Sequence, residues 1–123
     1  MTGETKRHPF LDDLAENVIL NSSILRQPAA GRVLVLKVVK AASSLYLNQT
    51  PNFLGSVEGR TFFEYEVDLA SGKKAAGLVS IRRNDAGEVT ELNVTFSPLG
   101  SVLSLAAGIK DILSPELGPD FLL

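Results

Sequence analysis

Residues 62–99 read FFEYEVDLASGKKAAGLVSIRRNDAGEVTELNVTFSPL, and the alternation in this stretch decides the fold. It predicts three long antiparallel strands joined by two tight turns. Each turn carries a glycine where a positive φ is needed, Gly72 in ASG and Gly87 in NDAG. Residues 70–72 suit a three-residue hairpin loop that leaves Leu69 opposite Lys73. Residues 84–87 suit a four-residue loop that leaves Arg83 opposite Glu88. Because side chains alternate faces along a strand, these registers sort the whole sheet. One face gathers Phe63, Tyr65, Val67 and Leu69, then Ala75, Gly77, Val79 and Ile81, then Leu92, Val94 and Phe96. The other gathers Phe62, Glu64, Glu66 and Asp68, then Lys74, Ala76, Leu78, Ser80 and Arg82, then Val89, Glu91, Asn93 and Thr95. The first face is apolar apart from the Tyr65 hydroxyl and must be covered.

Working outward, residues 97–98 are a Ser-Pro helix entry, with the Ser97 hydroxyl as cap. Leu99, Val102, Leu103, Ala106, Ile109 and Leu113 form the stripe of the helix that follows. Residues 32–47 also have helical spacing. Their stripe is Leu34, Val38, Ala41 or Ala42, and Leu45, widened by Val33, Val35, Leu36 and Val39, so this helix should be nearly enclosed. Lys37, Lys40 and Ser44 mark its wet side. Residues 48–52 read as a turn around Pro51 and residues 53–58 as a short strand. Upstream, Phe10, Leu11 and Leu14 lie on one side of a one- to two-turn helix. Residues 16–25 form a strand with Val18, Leu20, Ser22 and Ile24 on one face, and residues 27–31 form a loop. The division is a polar, disordered leader over 1–8, a single domain over 9–113 and a tail over 114–123. The closing Phe121, Leu122 and Leu123 are expected to dock on the fold or on a second subunit.

Composition excludes several functions. A chain of 123 residues with 45% apolar and 21% charged residues is an ordinary globular domain. A net charge of −2 with scattered basic residues gives no footprint for nucleic acid. With no cysteine and a single histidine, His8 in the leader, thiol chemistry is absent and no metal site is expected. No apolar run spans a bilayer and no signal peptide opens the chain, so a cytoplasmic protein without membrane partner or cofactor is expected. Glu64, Glu66 and Asp68 share the outer face with Lys74 and Arg82. They are better explained as a solvated, charge-paired surface than as a catalytic acid pair. Gly77, in mid-strand, marks a sheet bend or room for a packed ring.

The order of elements, with the phrases HPFLDDLAENVIL, PAAGR and VSIRRNDAGEVTELNVTFSPL, resembles the nuclear transport factor 2-like superfamily. The resemblance is in particular to its SnoaL-like and ketosteroid-isomerase-like members. The resemblance implies an α+β cystatin-like cone, in which a curved antiparallel sheet wraps two to three helices around an apolar pocket. This chain departs from that pattern by lacking a long first helix, so the cone would be closed by the tail or by another chain. The resemblance also places the isomerase base at Ser22 and the protonated oxyanion-hole acid at Val79, with the Tyr partner in the missing helix. Proton abstraction beside a carbonyl needs a base and an oxyanion donor, and these positions supply neither. The Asp-Arg-Asp set of limonene epoxide hydrolases is also missing.

Three readings follow. The first is a binding protein for a small hydrophobic ligand, with a pocket of Ser22, Phe63, Tyr65, Val79, Ile81, Leu92, Val94 and Phe96. The second is an interaction module completed by a partner chain. The third is an isomerase- or hydrolase-type enzyme using Tyr65 with Ser22 or Asn21. Tyr46, at the end of the first long helix, would reach the pocket mouth. A homodimer is expected through the outer face, at Phe62, Glu64, Ala76, Leu78 and Asn93, since sheet-to-sheet dimers are common in the family resembled.

Overall fold

The computed structural model describes residues 9–122. The expected polar leader over 1–8, with His8, lies outside the described residues, as does Leu123. A 3-10 helix over Pro9–Asp13 leads into β1 (Leu14–Ser22), a two-residue β2 (Ala29–Ala30) and helix α1 (Arg32–Ser44). Four long strands follow, β3 (Tyr46–Val57), β4 (Arg60–Leu69), β5 (Lys74–Arg83) and β6 (Val89–Ser97), and then helix α2 (Leu99–Leu113). The strands form one sheet in the order β2-β1-β6-β5-β4-β3. The run from β3 to β6 is antiparallel, whereas β1 lies parallel to β6, with Leu20 beside Leu92 and Ser22 beside Val94. This is the α+β cystatin-like cone expected from the sequence.

The hairpin turns set the sheet as expected. Gly72 has φ 93, and the Leu69 amide donates to the Lys73 carbonyl at 2.8 Å, so Asp68 pairs with Lys74. At the next turn Gly87 has φ 86, and the Asn84 side-chain oxygen accepts the Ala86 and Glu88 amides at 3.0 and 2.9 Å. Such an Asx arrangement fixes a loop by side chain rather than by ladder. All the residues assigned to the apolar face point into the core, with Tyr65, Val67, Leu69, Val79, Ile81, Leu92 and Phe96 buried. On the outer face Asp68 meets Lys74 at 2.5 Å and Arg82 meets Glu91 at 3.7 Å. Lys74 holds the Asp68 carboxyl below its ordinary range, with help from Asn48. These are surface pairs of little energetic weight.

Besides the end of β1 at Ser22 and the strand β2 within the expected 27–31 loop, five expectations need correction. Val89 is fully buried, not on the outer face. Arg82 pairs with Glu91 and Arg83 with Val89, so Thr90 is an extra residue, and the bulge turns Val89 inward. Residues 48–52 are not a turn, because β3 runs unbroken through Pro51. As the last strand of the sheet, β3 pairs with β4 alone, and an edge is where a strand proline is tolerated. Helix α1 stops at Ser44, three residues short of the expected end, and is not enclosed. It buries Val35, Val38, Ala41 and Ala42, while Val33 is 71% exposed. In α2 the buried face is Ser101, Val102, Leu105, Ala106, Ile109 and Leu113, with Leu99 and Leu103 exposed. Ser97 does not cap α2, since it ends β6 and Pro98 is the capping residue, its carbonyl accepting the Val102 amide at 3.0 Å.

Helices α1 and α2 lie over the concave face, and their valines and leucines meet the sheet wall in one core that includes Leu20, Val35, Leu92, Leu105 and Ile109. Neither helix has a side-chain hydrogen bond at its N-cap, so packing rather than capping holds them in place. The tail docks on its own chain. Leu122 is buried and bridges Leu25, the Arg26 amide donates to the Phe121 carbonyl at 2.9 Å, and the Arg26 guanidinium donates to the Leu122 carbonyl at 2.8 Å.

Candidate functional site

Between the sheet and α1 lies a cavity of about 40 Å³. The sheet supplies Leu20 and Ser22 from β1, Phe63 and Tyr65 from β4, Val79 from β5, and Leu92, Val94 and Phe96 from β6. Helix α1 supplies Val38, Val39, Ala42 and Ser43, and Phe10, Ile24 and Tyr46 close the sides. The structure therefore brings together seven of the eight residues expected at a pocket. The eighth, Ile81, is buried one pair further along β5 and does not line the cavity. The sequence places Val38 and Ala42 on the helix stripe without assigning them to the pocket, and Val39 and Ser43 lie off that stripe. The spacing of Val35, Val38 and Ala42 carried the signal.

The polar content is small. Ser22 Oγ accepts the Ile24 amide at 3.3 Å. The Tyr46 and Tyr65 hydroxyls lie 3.1 Å apart, with their ring centroids separated by 6.1 Å. The Tyr65 ring also lies near Phe63, which in turn meets Phe10. Gly77 is what allows this. A Cβ there would sit 2.8 Å from Tyr65 Cζ, so the mid-strand glycine makes room for a packed ring. Burial raises the pKa of both phenols. For Tyr46 the neighbouring Tyr65 adds to the rise, whereas for Tyr65 the Tyr46 hydrogen bond partly opposes it. Both are therefore neutral donors at physiological pH.

No Asp, Glu, His, Lys or Arg among the described residues lines the cavity. Val79, buried on β5, and Ser22 stand in the cavity wall where the isomerase resemblance would put its acids. Asn21, paired with Tyr65 in the enzyme reading, is on the opposite face, where its amide donates to Asn93 Oδ1 at 2.9 Å. Asn93 in turn donates to Ser80 at 3.0 Å, a polar seam across three strands of the outer face. Among the described residues no group of three or more His, Cys, Asp or Glu could hold a metal ion. No helix among them is long and apolar enough to cross a membrane.

The outer face holds the five residues expected at a subunit contact. Glu64 and Ala76 are exposed, Leu78 is 44% exposed, and Phe62 and Asn93 are half-buried. The sequence missed that β3 extends this face. Phe53 pairs with Glu64 and Val57 with Arg60, and both side chains are exposed.

A curved sheet wrapped over two helices with an apolar cavity between them defines a nuclear transport factor 2-like, cystatin-like cone, and this chain has that fold. Its likenesses are to solved structures. A steroid delta-isomerase from Pseudomonas aeruginosa superposes with a TM-score of 0.78 at 15% identity, over 85% of this chain and 77% of that one. An uncharacterised protein with a cystatin-like fold from Silicibacter pomeroyi gives 0.80 at 17% identity, over 87% and 75%. A nuclear transport factor 2-like protein of unknown function from Mesorhizobium loti gives 0.63 at 15% identity, over 73% and 76%. Neither a protein-family model nor a curated protein matches the sequence.

Proposed function

We propose that the protein binds a small hydrophobic molecule in the cavity between the sheet and α1, without isomerase chemistry. The observation that carries this reading is a wall of aliphatic and aromatic side chains with a few polar atoms on it, the pattern of ligand sites in general. The likeness to a steroid delta-isomerase, by name an enzyme of small hydrophobic molecules, supports this reading, and the want of a base among the described wall residues argues against proton abstraction. A cytoplasmic setting belongs to the same reading and is supported by a cysteine-free sequence.

The test is thermal unfolding with a panel of neutral one-ring compounds. A ligand at a hundred times its Kd adds about 2.7 kcal/mol, which raises Tm by several degrees. Ala42→Leu, which fills the cavity from α1, should abolish the rise. If no compound moves Tm and Ala42→Leu is simply more stable, the space is a packing void.

A sheet-to-sheet homodimer is the second reading, and the mixed outer face favours it. Phe53, Val57, Phe62 and Leu78 give it an apolar part, and Glu64 and Arg82 a charged one. Sedimentation should show a dimer, and Leu78→Lys should make it a monomer. A monomeric parent chain at high micromolar concentration would end this proposal.

A further inference from the structure

We propose that a second copy of this chain packs on the outer face of the sheet with its strands antiparallel to these, so that the acids of one copy lie over the arginines of the other. This rests on the sheet-to-sheet dimer, and names its orientation and the charges that choose it.

The face is divided by charge along the strands. At one end Arg60 on β4 lies directly opposite Arg82 on β5. Toward the other end Glu64 and Glu66 follow each other on β4, opposite Leu78 and Ala76. Phe62 and Leu78 lie between the ends and supply the apolar part.

Neither end is neutralised within the chain. Like charges opposite each other on neighbouring strands are unfavourable. Glu91 meets Arg82 at 3.7 Å, but Arg60 has no salt bridge among the described residues. Lys74 is taken by Asp68 at 2.5 Å, which leaves Glu64 and Glu66 without a salt bridge among the described residues. Arg60 and Glu66 do not relieve each other in one chain. Six residues of strand separate them by about 20 Å, against a screening length of about 8 Å in physiological salt.

A two-fold axis offers two ways of laying this face on itself. An axis along the strands sets Arg60 on Arg60 and Glu66 on Glu66. An axis across the strands, between the rows of Phe62 and Glu64, exchanges the ends of the second copy. Glu66 of each copy then comes over Arg60 of the other, and Phe62 and Leu78 gather near the axis. Stacked sheets cross by about 30°, which about 10 Å from the axis is a shift of about one strand, so Glu66 reaches Arg60 or Arg82. This arrangement gives both ends the counter-charges that the single chain lacks. The other sets like charge on like and is disfavoured.

The experiment is a double-mutant cycle on the full chain, with the dimer dissociation constant read by sedimentation. Arg60→Glu and Glu66→Arg should each weaken association about tenfold, since each brings like charges together twice in a two-fold dimer. The double variant should return to within about threefold of the parent. Because the two positions are too far apart to interact in one chain, that recovery has to cross the interface. A second measurement leaves every charge in place and uses the absence of cysteine from the chain. Thr50 and Val57 share the outer face on β3, in the rows of Glu66 and Arg60. A chain carrying Thr50→Cys should cross-link to one carrying Val57→Cys, and neither should link to itself. Self-linking by each variant, or a double variant as weak as the singles, overturns the antiparallel orientation and leaves the dimer standing. Single variants that associate like the parent overturn the role of the charges. A parent chain that stays monomeric at high micromolar concentration overturns both the dimer and its orientation.

Discussion

At the scale of the residue, the two tyrosines are the unusual feature, because two phenols share one apolar wall and face each other. Their folded pKa values are raised above the ordinary value of about 10 by burial. A raised folded pKa means that the native state holds its protons more tightly than the unfolded chain does. The stabilisation is then fully present below about pH 10 and is lost as pH climbs past it. Stability should accordingly be flat through neutrality and fall above about pH 10. Absorbance at 295 nm, which reports only these two side chains in a chain without tryptophan, should show phenolate appearing together with unfolding. Two phenolates that titrate near pH 10 in the still-folded protein would show that neither ring is buried as described.

At the scale of the element, the bulge in β6 carries a sharp expectation. Val89 is fully buried although plain alternation from Leu92 would turn it outward. Val89→Asp should therefore unfold the protein or remove several kcal/mol, since it buries an unpaired charge. Thr95→Asp, at an exposed position on the same strand, should shift the denaturant midpoint little. The reverse ranking would restore the unbulged register.

The same element shows what was legible in the sequence. Two glycine turns and strict alternation suffice to place Phe63, Tyr65, Val79, Leu92 and Phe96 on one wall, because a one-residue slip would mix oily and charged sets. Thr90 leaves no such mark, as the extra residue changes parity over two positions only. β3 was obscured for another reason. NQTPN has the composition of a turn, and what makes it a strand is a long-range fact, its place at the edge of the sheet. The helix stripes were blurred because valines and leucines surround α1 on most sides, and the contacts, not the periodicity, choose which are covered. By its spacing Tyr46 falls at a helix end, yet it opens β3, and that placement is what brings it to Tyr65.

At the scale of the whole molecule, the tail is part of the core. A chain ending at residue 113 loses the buried Leu122, the packed Leu117 and Phe121, and both hydrogen bonds to Arg26. It should be less stable by roughly 2–5 kcal/mol, measured by urea unfolding. An unchanged midpoint would mean that the tail is a passenger.

The parallel seam between β1 and β6 has a consequence for birth as well as architecture. Ser22 pairs with Val94, and Leu25 with Leu122. Closing loops of that length is an entropic obstacle that local hairpins do not face. The meander from β3 to β6 can assemble from local hairpins, while β1 waits with one side open until β6 is in place. Strand β1 is thus among the last elements to find its place, although it precedes in sequence the strand it pairs with.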